Sequence, residues 1–191
     1  MHEEIHHAFL IMAHSNWGQL GRLVSRLDEK SNLLIIHIDA KSNFSSGDQQ
    51  RLLSIPKKAE ILFADRSKIN WGGYSMVACE LKLIQLALEH ECDYLHFLSG
   101  ADYPIKSNRE IQQFFETHYG TEFVNISSED FLQQENYRFS KYHFFQEKVG
   151  RSRRSPLFFL NKFFVRLQRC LPFIDRTRKY PDIRFGVGSQ W

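Results

Sequence analysis

Three short polar clusters each follow an apolar run, and their side chains are of the kinds that hold a polyhydroxylated, anionic ligand. His14-Ser15-Asn16 follows Ala8–Ala13, Asp39-Ala40-Lys41 closes Asn32–Ile38, and Ser99-Gly100-Ala101-Asp102-Tyr103-Pro104 follows Tyr94–Leu98. A carboxylate at a strand tip accepts hydrogen bonds from a ribose, which is one use for Asp39; the plainer use is capping backbone amides of its own loop. Small residues at Ser99 and Gly100 let a sugar lie against backbone while Asp102 takes a hydroxyl; the plainer alternative is a turn whose amides Asp102 satisfies. A fourth segment, Asn70-Trp71-Gly72-Gly73-Tyr74-Ser75, sets paired glycines before a predicted helix N-terminus, where backbone can approach an anion. Neither the dinucleotide glycine spacing nor a phosphate-loop Lys-Ser/Thr is present, so a tight turn with Trp71 in the core explains this segment equally well.

Metal chemistry has little support in the sequence. The nine histidines give no His-x-x-x-His on a predicted helix and no Cys/His ladder, and no Asp-x-Asp occurs. No metal site and no cofactor are therefore expected. Cys79, Cys92 and Cys170 are odd in number, lack ligand spacing, and read as reduced thiols. With the polar, partly acidic opening Met1-His2-Glu3-Glu4 and no apolar run of about eighteen residues, they predict a cytoplasmic protein.

The elements that must position these clusters alternate. Continuous apolar runs at Ala8–Ala13, Asn32–Asp39, Ile61–Phe63 and Tyr94–Leu98 read as strands buried on both faces. Leu20, Leu23, Val24 and Leu27 recur at helical spacing behind Asn16, which can cap them. Ser75 opens a second helix with Val77, Leu81, Ile84 and Leu88 on one face, and Ser107 to Glu110 forms a capping box ahead of Ile111, Phe114 and Phe115. A fifth strand is expected at Glu122–Ile126. This alternation predicts an α/β fold, a mostly parallel sheet covered by helices on both sides, whose ligands bind at the carboxyl ends of the strands.

The second half is basic and less regular. Thirteen Lys or Arg lie between Arg138 and Arg184 against Glu147, Asp175 and Asp182, about +10 in a chain of net charge +3. Arg138–Phe145 reads as a strand, 150–155 as a turn-rich connector, and Pro156–Leu171 as an amphipathic helix. Phe159, Leu160, Phe163, Phe164, Leu167 and Leu171 fall on one side of that helix, and Asn161, Lys162, Arg166, Gln168 and Arg169 on the other. Such a helix can lie on an anionic membrane surface, giving peripheral contact at the inner face. The expectation favoured here is that its apolar side is packed inward and its basic side is in water. No nucleic-acid-binding module is recognisable, so nucleic acid is not an expected partner.

In order and spacing these segments resemble the core-2/I-branching enzyme family of N-acetylglucosaminyltransferases, to which protein xylosyltransferases are related. The resemblance runs from Ala8 to about Ile111 through Ala13-His14, His37-Ile38-Asp39-Ala40-Lys41, Trp71-Gly72-Gly73-Tyr74-Ser75 and Leu98 to Lys106, and returns at Gly188-Ser189-Gln190-Trp191. It implies a GT-A-like, Rossmann-type fold and inverting, metal-independent transfer from a UDP-sugar to a glycan or polysaccharide acceptor, with GlcNAc ahead of xylose as donor sugar. It also implies that Ala13, His14, Asp39, Ala40, Lys41, Lys68, Trp71, Gly72, Ser99, Gly100 and Asp102 contact the donor, and Glu122 and Arg138 the acceptor.

In that family the catalytic base is a Glu beyond the Gly-Ser-Gln-Trp segment, so no catalytic residue is expected before Trp191. The expectation is one glycosyltransferase domain over 1–191, incomplete at its C-terminus, with 1–126 the nucleotide-sugar half and 127–191 the start of the acceptor side. Such a chain alone would turn over little. Two rival readings are a non-catalytic nucleotide-binding module and a basic protein that docks on membrane or polyanion.

Overall fold

The computed structural model describes residues 4–123, 128–149, 152, 154–171 and 173–179. Contacts divide the chain into two units: one holds 1–69 and 75–121, the other 70–74 and 122–191.

The first unit is built on four parallel strands, β1 His7–Ala13, β2 Asn32–Ile38, β3 Glu60–Phe63 and β4 Tyr94–Ser99, in the order β3-β2-β1-β4. Every residue of β1 and β2 is buried. That is why their runs are continuously apolar rather than alternating: in the centre of a parallel sheet both faces are covered. Register pairs Leu10 with Ile35 and Phe97, and Ala13 with Ile38. The expected parallel α/β architecture, with helices flanking the sheet, is what forms.

On one face Phe9, Ile11, Ala13, Leu34, Ile36 and Ile38 pack with Leu20, Leu23, Val24 and Leu27 of the α1 region (Trp17–Arg26) and with Leu52 of α2 (Ser46–Leu53). α2 was not anticipated. Its signal is a capping box in which Ser45 accepts the Asp48 N–H and the Asp48 carboxylate accepts the Ser45 N–H. Right-handed crossovers put α1 and α2 on one side and α3 (Tyr74–Ala87), which returns across β1 to β4, on the other. α3 buries Met76, Cys79, Leu83 and Ala87, whereas Val77, Leu81 and Leu88 of the face expected inward are exposed. α3 is apolar on more than one side, so its spacing admits two inward faces. α4 (Asn108–Thr117) starts at the Ser107–Glu110 capping box and leaves Phe114 exposed, with Ile111 and Phe115 half-buried.

In the second unit α5 spans Glu129–Ser140, α6 Gln146–Val149 and α7 Pro156–Arg169, followed by a 3-10 turn at Arg176–Lys179. The strand expected at Arg138–Phe145 is corrected: Arg138 lies in the last turn of α5, and Tyr142–Phe145 lead into α6. Ser128 caps α5 by accepting the Phe131 N–H, which commits the backbone to helix. Of the strand expected at Glu122–Ile126, Glu122 and Phe123 are not in a strand, and Val124–Ile126 lie outside the described residues.

Candidate functional site

The strand order reverses between β1 and β4. At such a point the following connections leave in opposite directions and open a crevice over the carboxyl ends of the strands. Three strand tips are tied together there. The Ala13 carbonyl accepts the Asp39 N–H at 2.9 Å, and the Met12 carbonyl accepts the Gly100 N–H at 2.8 Å. Gly100 is demanded by this closeness: a β-carbon on it would stand 2.6 Å from that of Ala13. The glycine thus brings the loop after β4 onto the tip of β1.

Asn16 caps α1 from the left-handed conformation (φ 56°, ψ 60°), a region that asparagine tolerates, and its side chain accepts the Gln19 N–H. The α1 N-terminus, with no acidic residue in its first turn, therefore opens beside exposed His14 and Ser15.

Asp39 is buried. Its Oδ1 accepts the Lys41 N–H at 2.8 Å and the Ile69 N–H at 3.4 Å, and the Lys41 ammonium stands 3.7 Å from Oδ2 while donating to the Ile69 carbonyl. The loop-capping use of Asp39 is thus real, and it fixes the carboxylate rigidly. Ala40 binds the Ser67 carbonyl through its N–H, so Lys68, itself exposed, lies on a segment held against the Asp39 loop. At the other tip the Asp102 carboxylate accepts the Ser99 N–H at 2.7 Å, the turn-capping arrangement.

Sequence reasoning missed Arg66 here. Its guanidinium donates to the carbonyls of Asp39, Ser42 and Phe44 and lies 5.8 Å from the Phe44 ring. One planar fork thus organises the whole β2 loop. His37 does similar work from below: buried, it accepts the Ser67 N–H at 3.0 Å, and burial holds its pKa below the ordinary value. The available signal was position alone: Arg66 and Ser67 stand just past the short strand β3, as Asp39 stands past β2.

Ala13, His14, Asp39, Ala40, Lys41, Lys68, Ser99, Gly100 and Asp102 therefore belong to one set of connected strand tips. Trp71, Gly72, Glu122 and Arg138 belong to the second unit. Trp71 is not a core residue, being 46% exposed. Gly72 has φ +70°, and Gln146 lies where its side chain would stand; Asn70 donates to Glu147 at 2.9 Å. Glu122 and Arg138 are exposed. Among the described residues, no group of three or more His, Cys, Asp or Glu could hold a metal ion, and Cys79, Cys92 and Cys170 are free thiols. Burial pushes the Cys79 thiol up to about 12, so it is a packing group rather than a nucleophile.

Residues 7–191 match the family described as Branch: Core-2/I-Branching enzyme, and the chain belongs to that family of glycosyltransferases. The resemblance carried by the strand-tip motifs is borne out. The chain is similar to a human N-acetyllactosaminide beta-1,6-N-acetylglucosaminyl-transferase, at 26% identity over 116 residues, covering 59% of this chain and 29% of the relative. It is also similar to xylosyltransferase 1 of Pan troglodytes, at 26% over 129 residues (64% and 13%). Xylosyltransferase 2 of Bos taurus matches at 26% over 127 residues (64% and 14%). The chain thus spans less than a third of the length of these relatives.

Proposed function

We propose that the strand-tip crevice of the first unit binds the nucleoside diphosphate of a UDP-sugar, GlcNAc or xylose, for inverting, metal-independent transfer to a glycan or polysaccharide hydroxyl. The observation that supports this most is the convergence of Ala13, His14, Asp39, Ser99, Gly100 and Asp102 at the point where strand order reverses. In this reading Asp39, held by two backbone amides, is pre-set to receive nucleoside hydroxyls, so binding requires no reordering of its loop. The α1 N-terminus offers N–H donors to the diphosphate, where negative charge grows as the bond to the anomeric carbon breaks. Gly100 leaves room for the sugar against backbone, and Lys41 and Lys68 add positive charge.

Transfer also needs a carboxylate that takes the acceptor proton as the acceptor oxygen attacks the opposite face of the anomeric carbon. Family resemblance assigns that base to a Glu following the Gly188–Trp191 segment. Trp71 and Gly72 as further donor contacts, Glu122 and Arg138 as acceptor contacts, and the division into donor-side and acceptor-side halves complete the reading.

Calorimetry of UDP, UDP-GlcNAc and UDP-xylose with the purified chain, with and without chelator, tests it. Expected is chelator-insensitive UDP binding that weakens at least tenfold in Asp39→Asn, which keeps the Oδ1 acceptor and removes the charge. Indifference to every uridine nucleotide, in this chain and in one extended through the segment carrying the base, counts against the reading. UDP binding by the extended chain without transfer to any acceptor would indicate a non-catalytic nucleotide-binding module instead.

A further inference from the structure

The α7 helix does not bury the whole side that its apolar spacing marks. Its buried residues are Asn161 and Gln168. Gln168 fixes the rotation: its carbonyl accepts the Tyr142 N–H at 2.8 Å and its amide donates to the Tyr142 carbonyl at 2.9 Å, while Phe164 on the same side meets the rings of Phe144 and Phe145. Rolling the helix to hide its other apolar side chains would break both bonds and strand buried polar groups. As a result Phe159 and Phe163 are 62% and 60% exposed, and Leu160 and Leu167 are exposed beside them. The expectation that this side packs inward is therefore corrected for Phe159, Leu160, Phe163 and Leu167; Phe164 does pack inward, and Lys162, Arg166 and Arg169 are exposed as expected.

The exposed side has a second component. Lys162, Arg166 and Arg169 follow one another at helical spacing along the flank of the apolar row, and all three are exposed. Between Glu147 and Asp175 the chain holds seven Lys or Arg and no Asp or Glu. A surface of this charge repels a second copy of itself and attracts an anionic one. Soluble polyanions would use the basic flank and have no use for Leu160 and Leu167, which cannot stack on a base. A lipid surface uses both components. At fourteen residues, about 21 Å, the helix is too short to cross a bilayer, and among the described residues no helix is long and apolar enough to do so.

We propose that α7 lies in the interface plane of an anionic phospholipid bilayer, with Phe159, Leu160, Phe163 and Leu167 at the acyl boundary and Lys162, Arg166 and Arg169 against the phosphates. This surface belongs to the second unit and stands whether or not the strand tips bind a sugar nucleotide.

Flotation of the chain with phosphatidylcholine vesicles, with and without one-third phosphatidylglycerol, reads it directly. Binding is expected only with phosphatidylglycerol and is weakened by high salt. It should fall about fivefold for each of Lys162→Gln and Arg166→Gln, and at least about tenfold in Phe159→Ser/Phe163→Ser. All four positions are exposed, so far-UV circular dichroism should be unchanged. As an arm that needs no disruptive change, Phe163→Trp should be quenched by brominated acyl chains beyond the level of the parent chain. Any of four results overturns the proposal: no vesicle binding; vesicle binding indifferent to the Phe pair; heparin binding that depends on the basic residues without vesicle binding; or a dimer in sedimentation that Phe163→Ser dissolves while vesicles stay unbound.

Discussion

The two units solve the burial problem in opposite ways. The sheet unit hides Leu10, Ile11, Leu34, Ile35 and Ile36 completely and carries Asp39 and Asp102 at its strand tips. The second unit hides Ser140, Asn161 and Gln168 and leaves Phe144, Phe159, Phe163 and Phe173 largely in solvent. In the first, apolar area removed from water sets the arrangement. In the second, orientation is set by directional bonds, chiefly the paired hydrogen bonds of Gln168 to Tyr142. A side chain's hydropathy therefore tells where it sits along β1 and β2 and not along α7.

The contrast predicts its largest effect at Leu10, which is fully buried between β2 and β4. Leu10→Ala should cost about 2–5 kcal/mol in denaturant unfolding, because transfer and cavity losses add. A loss below about 1 kcal/mol would mean that the sheet interior is loosely packed, and the contrast would fail from that side.

The next effect comes from polar groups inside the sheet unit. His7 is buried; its Nε2 faces the Gln112 carbonyl oxygen at 3.0 Å and its Nδ1 faces His96 Nε2 at 3.0 Å. A carbonyl only accepts, so His7 Nε2 donates to Gln112, and His7 Nδ1 accepts from His96. The arrangement requires His7 neutral, and burial disfavours the charged form of both rings. Burial lowers both pKa values, and that of His96 is brought to about 4, with His7 a smaller contributor. Above pH 6.5 both states are neutral and stability is complete. As the pH falls from 6.5 to about 4 the unfolded chain takes a proton that folded His96 refuses, and up to about 3 kcal/mol is lost. The Gln112 hydrogen bond and Asp93 favour the protonated form of His7 and oppose its own burial shift, so His96 dominates the window. Thermal unfolding across that window should show the drop, and His96→Gln should flatten it; a flat parent profile would mean that the pair is solvated.

At the strand tips the expected loss is smaller but bears on function. Gly100→Ala forces the added carbon against Ala13, and local shifts of backbone should cost about 1–3 kcal/mol. If this crevice receives the donor, the same change should weaken UDP binding by more than its effect on the unfolding midpoint explains. Unchanged UDP affinity in a folded Gly100→Ala chain would separate the binding site from the point where strand order reverses.

How far each unit was legible follows from the same physics. The four strands could be read because a strand buried on both faces leaves an unbroken apolar run, and the loop positions of His14, Asp39 and Asp102 followed from where those runs stop. Arg66 could not be read: its role is to bind three carbonyls of a loop more than twenty residues earlier in sequence, and no local pattern records that. α2 and α5 were missed because their signals are caps, Ser45 and Ser128, rather than apolar periodicity. For α7 the period was right and the inward face only in part, because helical spacing marks two faces and does not say which is buried.

The smallest predicted effect is the most discriminating. Phe163→Ser should change the unfolding free energy by no more than about 0.5 kcal/mol, as for an exposed position away from any bond network. Gln168→Ala, five residues further on, should cost about 1–3 kcal/mol, since it leaves the Tyr142 N–H and carbonyl without the partners that fix the helix. Ordinary hydropathy ranks the two the other way, with phenylalanine the costly loss and glutamine the cheap one. Measured side by side in urea, the reversed order would confirm that α7 is oriented by hydrogen bonds with its phenylalanines outward. The ordinary order would place Phe163 in a core, and the membrane-facing surface would then lose the residue it most depends on.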